Sequence, residues 1–565
     1  MQLRWIIGND CRGDEIQSLA ETLRIPPVMA QILISRGIRD LESAQRFFRP
    51  SLDQLYDPFL LTDMDKGVER LRRAVLSDER ILIYGDYDVD GITSVSFLYM
   101  ILKEIGASVF YYIPDRRSEG YGLSEKGIKG FAEQGINLIV TVDCGVTGHE
   151  EIELARTVGI DVIVSDHHEP GPTLPAAVAV IDPKRHDCQY PFKELAGVGV
   201  SYKLAQGLLQ RMGIDSSILE HYLEFVAIGT SADIVPLIDE NRLFVKTGMQ
   251  KLNSTENIGL KALINVAALY GREISTGHIV FIIAPRINAV GRLGDAERAV
   301  KLLTTEDEAE ARAIANILEM ENRHRKDIDE GTFREALVSA DELFDSEHTR
   351  SLVLAKEGWH SGVIGIVASR VAERFYRPTV LISIEDGIGK GSARSIDGFD
   401  LFQAIKSCED LLVAYGGHKY AAGLTIEEKN IPAFRERFEE IARQKLSPDM
   451  LIPKLNIDAE IHLDQIDEQF LKLLKRFAPF GPKNMRPVFV SKNLHVVGTP
   501  TIVGTNHLKL RVGQGRQTFD VIGFNMGEWL QRLISRPASL DMAYVIDEND
   551  YLGRRYIQLR VKDLQ

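Results

Sequence analysis

The sequence predicts an α/β protein with a parallel-sheet domain, a long helical connector, a second α/β domain and a C-terminal β-barrel. Three observations carry this. Short apolar strands between residues 82 and 181 alternate with helical stretches, and each strand runs into a polar cluster. That alternation marks a parallel sheet with helices on both faces. No proline occurs between Pro285 and Pro378, and Asp295–Glu330 is rich in Ala, Glu and Arg without a glycine, which reads as a long helix or a helix pair. Residues 451–565 contain five short strands, His495–Val497, Leu508–Val512, Phe519–Phe524, Met542–Ile546 and Tyr556–Val561. That number in so short a stretch fits a Greek-key barrel of the OB type.

The elements follow in order. Residues 1–45 read as short amphipathic helices, with Leu19, Leu23, Ile25, Leu33 and Leu41 as apolar positions and Pro26-Pro27 as the break. Strand Leu82–Tyr84 ends at Gly85, and helix Thr93–Ile105 follows. Strands Ser108–Ile113, Leu138–Val142, Val162–Val164 and Val178–Ile181 complete the first sheet. Beyond the connector come strand Leu352–Ala355, helix Val363–Arg374 and strand Thr379–Ile384. In sheets of this kind ligands bind at the carboxyl ends of the strands.

Composition narrows the function. At 565 residues the chain should form roughly three to five domains. With 44% hydrophobic and 26% charged residues, it is neither disordered nor fibrous. No apolar run reaches the ~18 residues of a membrane span, so no membrane association is expected. Met1–Arg12 lacks a signal-peptide pattern, so a cytoplasmic protein is expected. Cys11, Cys144, Cys188 and Cys408 form no CxxC pair, which excludes a disulfide framework or a cysteine zinc site. The net charge of −14 argues against nucleic acid only superficially, because phosphates respond to the local field. Residues 451–565 carry 16 Lys and Arg against 12 Asp and Glu. There Lys472, Lys475, Arg476, Lys483 and Arg486 lie near Phe477 and Phe480, a composition that fits either a single-strand groove or a solvated face.

The strand ends carry the chemistry. Asp86, Asp88 and Asp90 follow the first strand, Asp143 follows the third, and Asp166-His167-His168 follows the fourth. Carboxylates packed this closely raise one another's pKa, and a cation resolves the conflict. Oxygen ligands with imidazole suit Mn²⁺, and carboxylates also suit Mg²⁺. Such a set has enough ligands for two ions ~3.5–4 Å apart, the arrangement used for phosphodiester hydrolysis. Taken singly, each aspartate reads equally as a helix N-cap or an Asx turn.

These motifs, with Gly229-Thr230-Ser231-Ala232-Asp233 as a fourth, resemble the DHH phosphoesterase superfamily. Tyr84–Ser94, Pro114–Ser124, Ala284–Gly294, Gly391–Ser395 and Gly416-Gly417-His418 resemble its bacterial single-strand-specific 5′→3′ DNA exonucleases. Beyond the N-terminal helical segment at 1–45, the resemblance implies a DHH catalytic domain at 46–300 and connector helices at 301–345. A DHHA1-like substrate domain at 346–450 and an OB-fold nucleic-acid-binding domain at 451–565 complete the expected order. It implies Mn²⁺ or Mg²⁺ as cofactor, two ions per site. Asp143 would bridge them, Asp88 would hold one, Asp90, His167 and Asp233 would hold the other, and Asp86 would be a direct or water-mediated ligand. His168 and Asp166 are the expected catalytic residues, His168 either behind the ligands or facing substrate and Asp166 orienting the site.

The expected substrate-binding residues are Arg116, Tyr121, Arg286, Arg292, Ser392, Arg394, Gly416, Gly417 and His418. Arg116 with Tyr121 suits a phosphate and a base, although the residues alone favour a solvated arginine and a surface-packed tyrosine, and it is the resemblance that reverses this. Gly389–Ser395 reads as a loop whose backbone N–H groups face an anion, with Ser392 and Arg394 adding donors. Arg292 is favoured for a terminal phosphate. The implied partner is single-stranded DNA, in repair and recombination, and the resemblance admits single-strand-binding protein and a RecQ-type helicase beside it. Two rivals remain at this point: another DHH phosphodiesterase, and a non-catalytic single-strand-binding replication factor.

Overall fold

The computed structural model describes residues 3–8, 12–115, 119, 122–293, 295–535, 539–551 and 554–565. It divides into two bodies. One holds Ile6–Gly291, Asp295–Asn316 and Asn456–Gln565, and the other holds Met1–Trp5, Arg292–Gly294 and Ile317–Leu455.

A short strand at Arg4–Ile7, where only helices were expected, precedes helices α1 (Gly13–Leu23), α2 (Pro27–Ser35) and α3 (Leu41–Phe48) of the first body. Pro27 stands at the first turn of α2, where its missing N–H has no partner to lose. Asp40 and Ser43 close a capping box on α3. A five-stranded sheet follows: β1 (Ile81–Gly85), β2 (Val109–Tyr112), β3 (Leu138–Val142), β4 (Asp161–Ser165) and β5 (Ala179–Ile181). Its order is β2-β1-β3-β4-β5 and every pairing is parallel. The central strands β1 and β3 are buried along their whole length, while the edge strand β2 is partly exposed. Four helices frame the strand ends: α4 (Val89–Glu104), α5 (Gly197–Met212), α6 (Leu223–Ala232) and α7 (Asp239–Asn253). Helix α8 (Ala284–Leu293) comes next, preceded by a π-helical turn at Ile279–Ile283. The connector resolves into a helix pair, Glu297–Thr304 and α9 (Glu308–Leu343).

The second body holds a mixed sheet of β6 (Leu352–Glu357), β7 (Thr379–Glu385), β8 (Ile388–Arg394), β9 (Leu412–Gly417) and β10 (Ala421–Glu427), in the order β9-β10-β8-β7-β6, with helix α10 (Ile364–Phe375). Here the sequence expectation needs correction. Gly389–Arg394 is not an anion loop but strand β8, paired on both sides. Its glycines serve packing: a Cβ on Gly389 would meet Ile382 at 2.6 Å, and one on Gly391 would meet Leu424 at 2.7 Å.

The C-terminal domain returns to the first body. Strands β11 (Ala459–Glu460), β12 (Phe489–Val496), β13 (Thr501–Val503), β14 (His507–Gln514), β15 (Gln517–Gly523), β16 (Leu540–Tyr551) and β17 (Arg554–Leu564) run in the order β11-β12-β16-β17-β15-β14-β13. Pairing of β12 with β14 closes the barrel. Among the described residues this sheet has two strands beyond the expected five, a further strand at Lys454–Ile457 pairs with Arg4–Ile7, and the first expected strand extends back to Phe489. The barrel shares one core with the N-terminal helices: Leu19, Met29, Ile32, Leu33 and Phe47 pack with Phe470, Phe477, Phe489 and Tyr544. Arg242 of α7 fastens this core to the parallel-sheet domain. Its buried guanidinium donates to the carbonyls of Phe47, Phe477, Ala478 and Pro479 and lies 3.7 Å over the Phe47 ring. Planar, multi-donor geometry suits arginine for such a role. The basic segment near Phe477 therefore is not a stacking platform at that residue. Phe477 is fully buried, and Lys475 and Arg486 pair with Glu548 and Asp547.

Candidate metal centre and anion subsite

The site grows from the carboxyl ends of β1, β3 and β4. Residues 86–91 must turn tightly after β1, and a Cβ on Gly91 would sit 2.4 Å from the Asp86 carbonyl oxygen. Asp88 caps α4, its Oδ1 accepting from Gly91 N at 3.1 Å. The ordinary capping role is thus real and coexists with a place in the acidic cluster. Asp90, in the first turn of α4, is buried and accepts the first backbone N–H groups of α5, from Gly197 at 2.6 Å and Val198 at 2.9 Å. Those helix-terminal donors favour its charged form. Burial, then the charge of Asp88, works against them and pushes its pKa up to about 7.

Asp143 leaves β3 with φ +60, a strained conformation of the kind that collects at functional sites. It is buried, and its pKa is raised well above the usual carboxylate range by burial and then by the charges of Asp90, Asp88, Asp233 and Asp86. Two glycines let these carboxylates approach. A Cβ on Gly197 would lie 2.7 Å from Asp143 Oδ1, and one on Gly229 would lie 2.8 Å from Asp90 Oδ1. His167 completes the centre: its Nε2 lies 3.1 Å from Asp143 Oδ1, 3.7 Å from Asp233 Oδ2 and 3.9 Å from Asp90 Oδ2. Burial and the neighbouring His168 push its pKa down to about 3, so the imidazole is neutral. Asp233, at the end of α6, is shifted upward by burial and then by Asp90 and Asp88.

These groups suit divalent cations. Both ring nitrogens of His167 are buried, and Nε2 faces the carboxylates of Asp143, Asp233 and Asp90 without a well-formed hydrogen bond to any of them. Asp90, Asp143 and Asp233 raise one another's pKa at close range, a conflict that a cation resolves. The possible ligand atoms gather as Asp86, Asp88 and Asp143, as Asp90, His167 and Asp233, and as Asp143, His167 and His168, each set within 4.8 Å. The mixture of carboxylate oxygen and imidazole matches Mn²⁺ and, through the carboxylates, Mg²⁺.

Asp166 lies beneath the cluster. It accepts from Val146 N (2.9 Å), His167 N (2.7 Å), His168 N (3.2 Å) and His168 Nδ1 (2.8 Å). It stands outside all three ligand sets. Burial would lower the pKa of half-buried His168. The Asp166 hydrogen bond and charge, with Asp233 and Asp88, outweigh burial and raise it to about 9. Its charged form therefore adds stability that is fully present below its ordinary 6.5 and is lost as pH rises through about 9. In metal-free protein, Asp166→Asn should move the His168 titration from about 9 toward 6.5, followed by NMR of the imidazole protons. An unmoved titration would show that the remaining acids set its charge.

The second body brings together several of the residues expected to bind substrate. Ser392 and Arg394 stand two residues apart on β8 and so share a face. Arg394 Nη1 donates to Ser392 Oγ at 3.1 Å and to the Ala393 carbonyl at 2.8 Å. A Cβ on Gly365, in the first turn of α10, would lie 2.9 Å from Ser392 Oγ and 3.0 Å from Arg394 Nη2. Arg292 joins this end, its Nη1 donating to the Gly362 carbonyl at 3.0 Å. Gly362 N in turn donates to His360 Nδ1. Gly416 pairs with Gly423, which pairs with Ser392, so Gly416 stands two strand spacings, about 10 Å, from Ser392. Gly417 ends β9 with φ +140, and exposed His418 donates its N–H to the Ala421 carbonyl in the hairpin. Arg286 turns back on its own helix, donating to the Ile282 carbonyl at 2.6 Å. Arg116 and Tyr121 lie outside the described residues.

Comparison with known proteins follows this division. The DHH family, N-terminal domain, matches residues 80–230, the DHHA1 domain residues 348–444 and the RecJ OB domain residues 457–563. The single-stranded-DNA-specific exonuclease RecJ of Escherichia coli (strain K12) is 35% identical, over 98% of this chain and 98% of its own. The chain belongs to the RecJ family. The RecJ of Bacillus subtilis (strain 168) is 39% identical over 100% of this chain and 71% of its own length. The crystal structure of RecJ in complex with Mn²⁺ from Thermus thermophilus superimposes with a TM-score of 0.86 at 30% identity, covering 100% of this chain and 79% of that one.

The sequence marked Gly229 only as part of the Gly229–Asp233 motif and Asp182 only as a strand end, and it gave Gly197 no role. Asp182 follows β5, is fully buried, and has its pKa pushed up to about 7 by burial and by Asp166. Its position after an apolar strand, like that of the other aspartates, was the available signal.

Proposed function

We propose that the chain is a two-metal, single-stranded-DNA-specific exonuclease that degrades DNA from the 5′ end, releases mononucleotides and acts in the cytoplasm. The observation that carries the reading is the paired ligand sets meeting at Asp143 and His167, 3.1 Å apart. In this reading Asp86, Asp88 and Asp143 hold one ion, and Asp90, His167 and Asp233 hold the other. Bound there, two ions supply Lewis acidity toward a phosphodiester and a water activated at neutral pH. The chain's residues do the rest. Asp143 stands between the two sets. The α5 N–H groups fix the Asp90 carboxylate. Asp166 keeps His168 charged, so that it faces a phosphate oxygen as a cationic donor. Arg394, Ser392 and Arg292 receive a terminal phosphate, which supports the 5′ polarity. Every ligand position of the resemblance is filled, which argues against a non-catalytic scaffold. A chain with matches to all three domains argues against a minimal phosphodiesterase.

The test is digestion of end-labelled single strands with Mn²⁺ or Mg²⁺ beside a duplex control. A 5′ label should leave early as a mononucleotide, with the duplex resistant. Early release of a 3′ label, or equal digestion of the duplex, would refute the proposal.

A further inference from the structure

Directly after Asp233 the backbone enters the left-handed region. Ile234 has φ +61, and it is the one β-branched residue among the described non-glycine residues with positive φ. Sterics penalise that region most for β-branched side chains. The path on either side is held by bonds from Asp233 N to the Gly229 carbonyl (3.0 Å) and from Leu237 N to the Pro482 carbonyl (2.8 Å). A glycine or asparagine would follow the same path with less strain. Burial does not compensate the isoleucine either. Its side chain is 64% exposed, whereas Leu237 in the same segment is 2% exposed. A strained, exposed, apolar residue adjoining a ligand of the cluster gains its return from something that binds beside that ligand.

Given the exonuclease reading above, on which this inference rests, the bound group is a nucleotide whose phosphate meets the metal centre. The apolar surface nearest a scissile phosphate is the sugar. We propose that Ile234 packs against the deoxyribose at the scissile phosphate and disfavours a ribose there. Its branched methyl groups offer no acceptor to a 2′-hydroxyl, and burying a hydroxyl without a hydrogen bond is unfavourable.

The test measures kcat/KM with Mn²⁺ for a 5′-phosphorylated deoxy strand and for the same strand with ribonucleotides at its first two positions. An apolar contact rejects an added hydroxyl by at most about a hundredfold, so Ile234→Ala and Ile234→Gly should reduce the deoxy preference by roughly tenfold, and Ile234→Val should keep it. The glycine variant relieves the strain and so remains decisive if the alanine variant folds poorly. An unchanged preference in Ile234→Gly overturns the proposal. So does an equal loss on both strands, which would make Ile234 a brace for Asp233. If the wild-type protein cleaves neither strand, it is the exonuclease reading that fails.

Discussion

Asp143→Ala should abolish hydrolysis. Its carboxylate belongs to the set with Asp86 and Asp88 and approaches His167 of the other set at 3.1 Å, so its loss disturbs both ions. Bound ions contribute several kcal/mol of transition-state charge stabilisation, so activity should fall by about a thousandfold or more. Losing Asp88 or Asp90 alone should cost less. Calorimetric titration decides the point, because two Mn²⁺ bound at wild-type affinity by the variant would refute the assignment. Metal-free protein offers a second readout. Burial and mutual repulsion raise the folded-state pKa values of Asp90, to about 7, and of Asp143 and Asp233 above the unfolded 3.8. Between those values the folded state holds more protons than the unfolded chain, so stability falls as pH rises. Metal-free wild type should therefore melt lower at about pH 8 than at about pH 5.5. Asp143→Ala should narrow that gap, and Mn²⁺ should raise the Tm of wild type more at the higher pH than at the lower.

The gathering of Asp86, Asp88, Asp90, Asp143 and His167 was legible because they sit in short motifs just after apolar strands, where sequence neighbours are also spatial neighbours. What stayed hidden depends on distant residues. Gly197 and Gly229 matter because their missing side chains leave room for Asp143 and Asp90; the Gly229–Asp233 motif did not announce that role for Gly229, and nothing local marks Gly197. Gly389 and Gly391 failed in the opposite sense. Their spacing suggested an anion loop, but Ile382, Ile426 and Leu424 crowd them from neighbouring strands, and β8 is an ordinary ladder member. Phe477 sits among basic residues in the sequence, yet its ring is enclosed by Phe47 and Phe48 from the far end of the chain. Composition reveals an aromatic beside cations but not which face it turns to solvent. The same non-locality joined the two ends of the chain, since no pattern in residues 13–48 announces that its apolar faces complete a barrel at 457–564.

Arg394→Ala should cost a 5′-phosphorylated strand far more affinity than the same strand with a 5′-hydroxyl. Arg394 lies on β8 against the first turn of α10, bonded to Ser392 Oγ and the Ala393 carbonyl. Burial alone lowers its pKa, and among the described residues no carboxylate pairs with it. A partly buried guanidinium without an acidic partner favours an incoming anion, and the helix N-terminus beside it has the same sign. A terminal phosphate carries more charge than an internal diester, so it gains more from this arrangement. A charge-assisted hydrogen bond contributes roughly 1.5–3 kcal/mol, and tenfold in affinity is about 1.4 kcal/mol. The expected loss is therefore about ten- to a hundredfold for the phosphorylated strand and much smaller for the hydroxyl strand. Gly365→Ala should act in the same direction, because its Cβ would press on Ser392 Oγ and Arg394 Nη2. No metal ligand changes in either variant, so Mn²⁺ binding should stay at the wild-type level. Competition between the two strands on wild type and variant measures the difference. Equal losses for both strands would mean that Arg394 only steadies the strand's path, and the selection of a 5′ end would then have to come from residues other than this β8 pair.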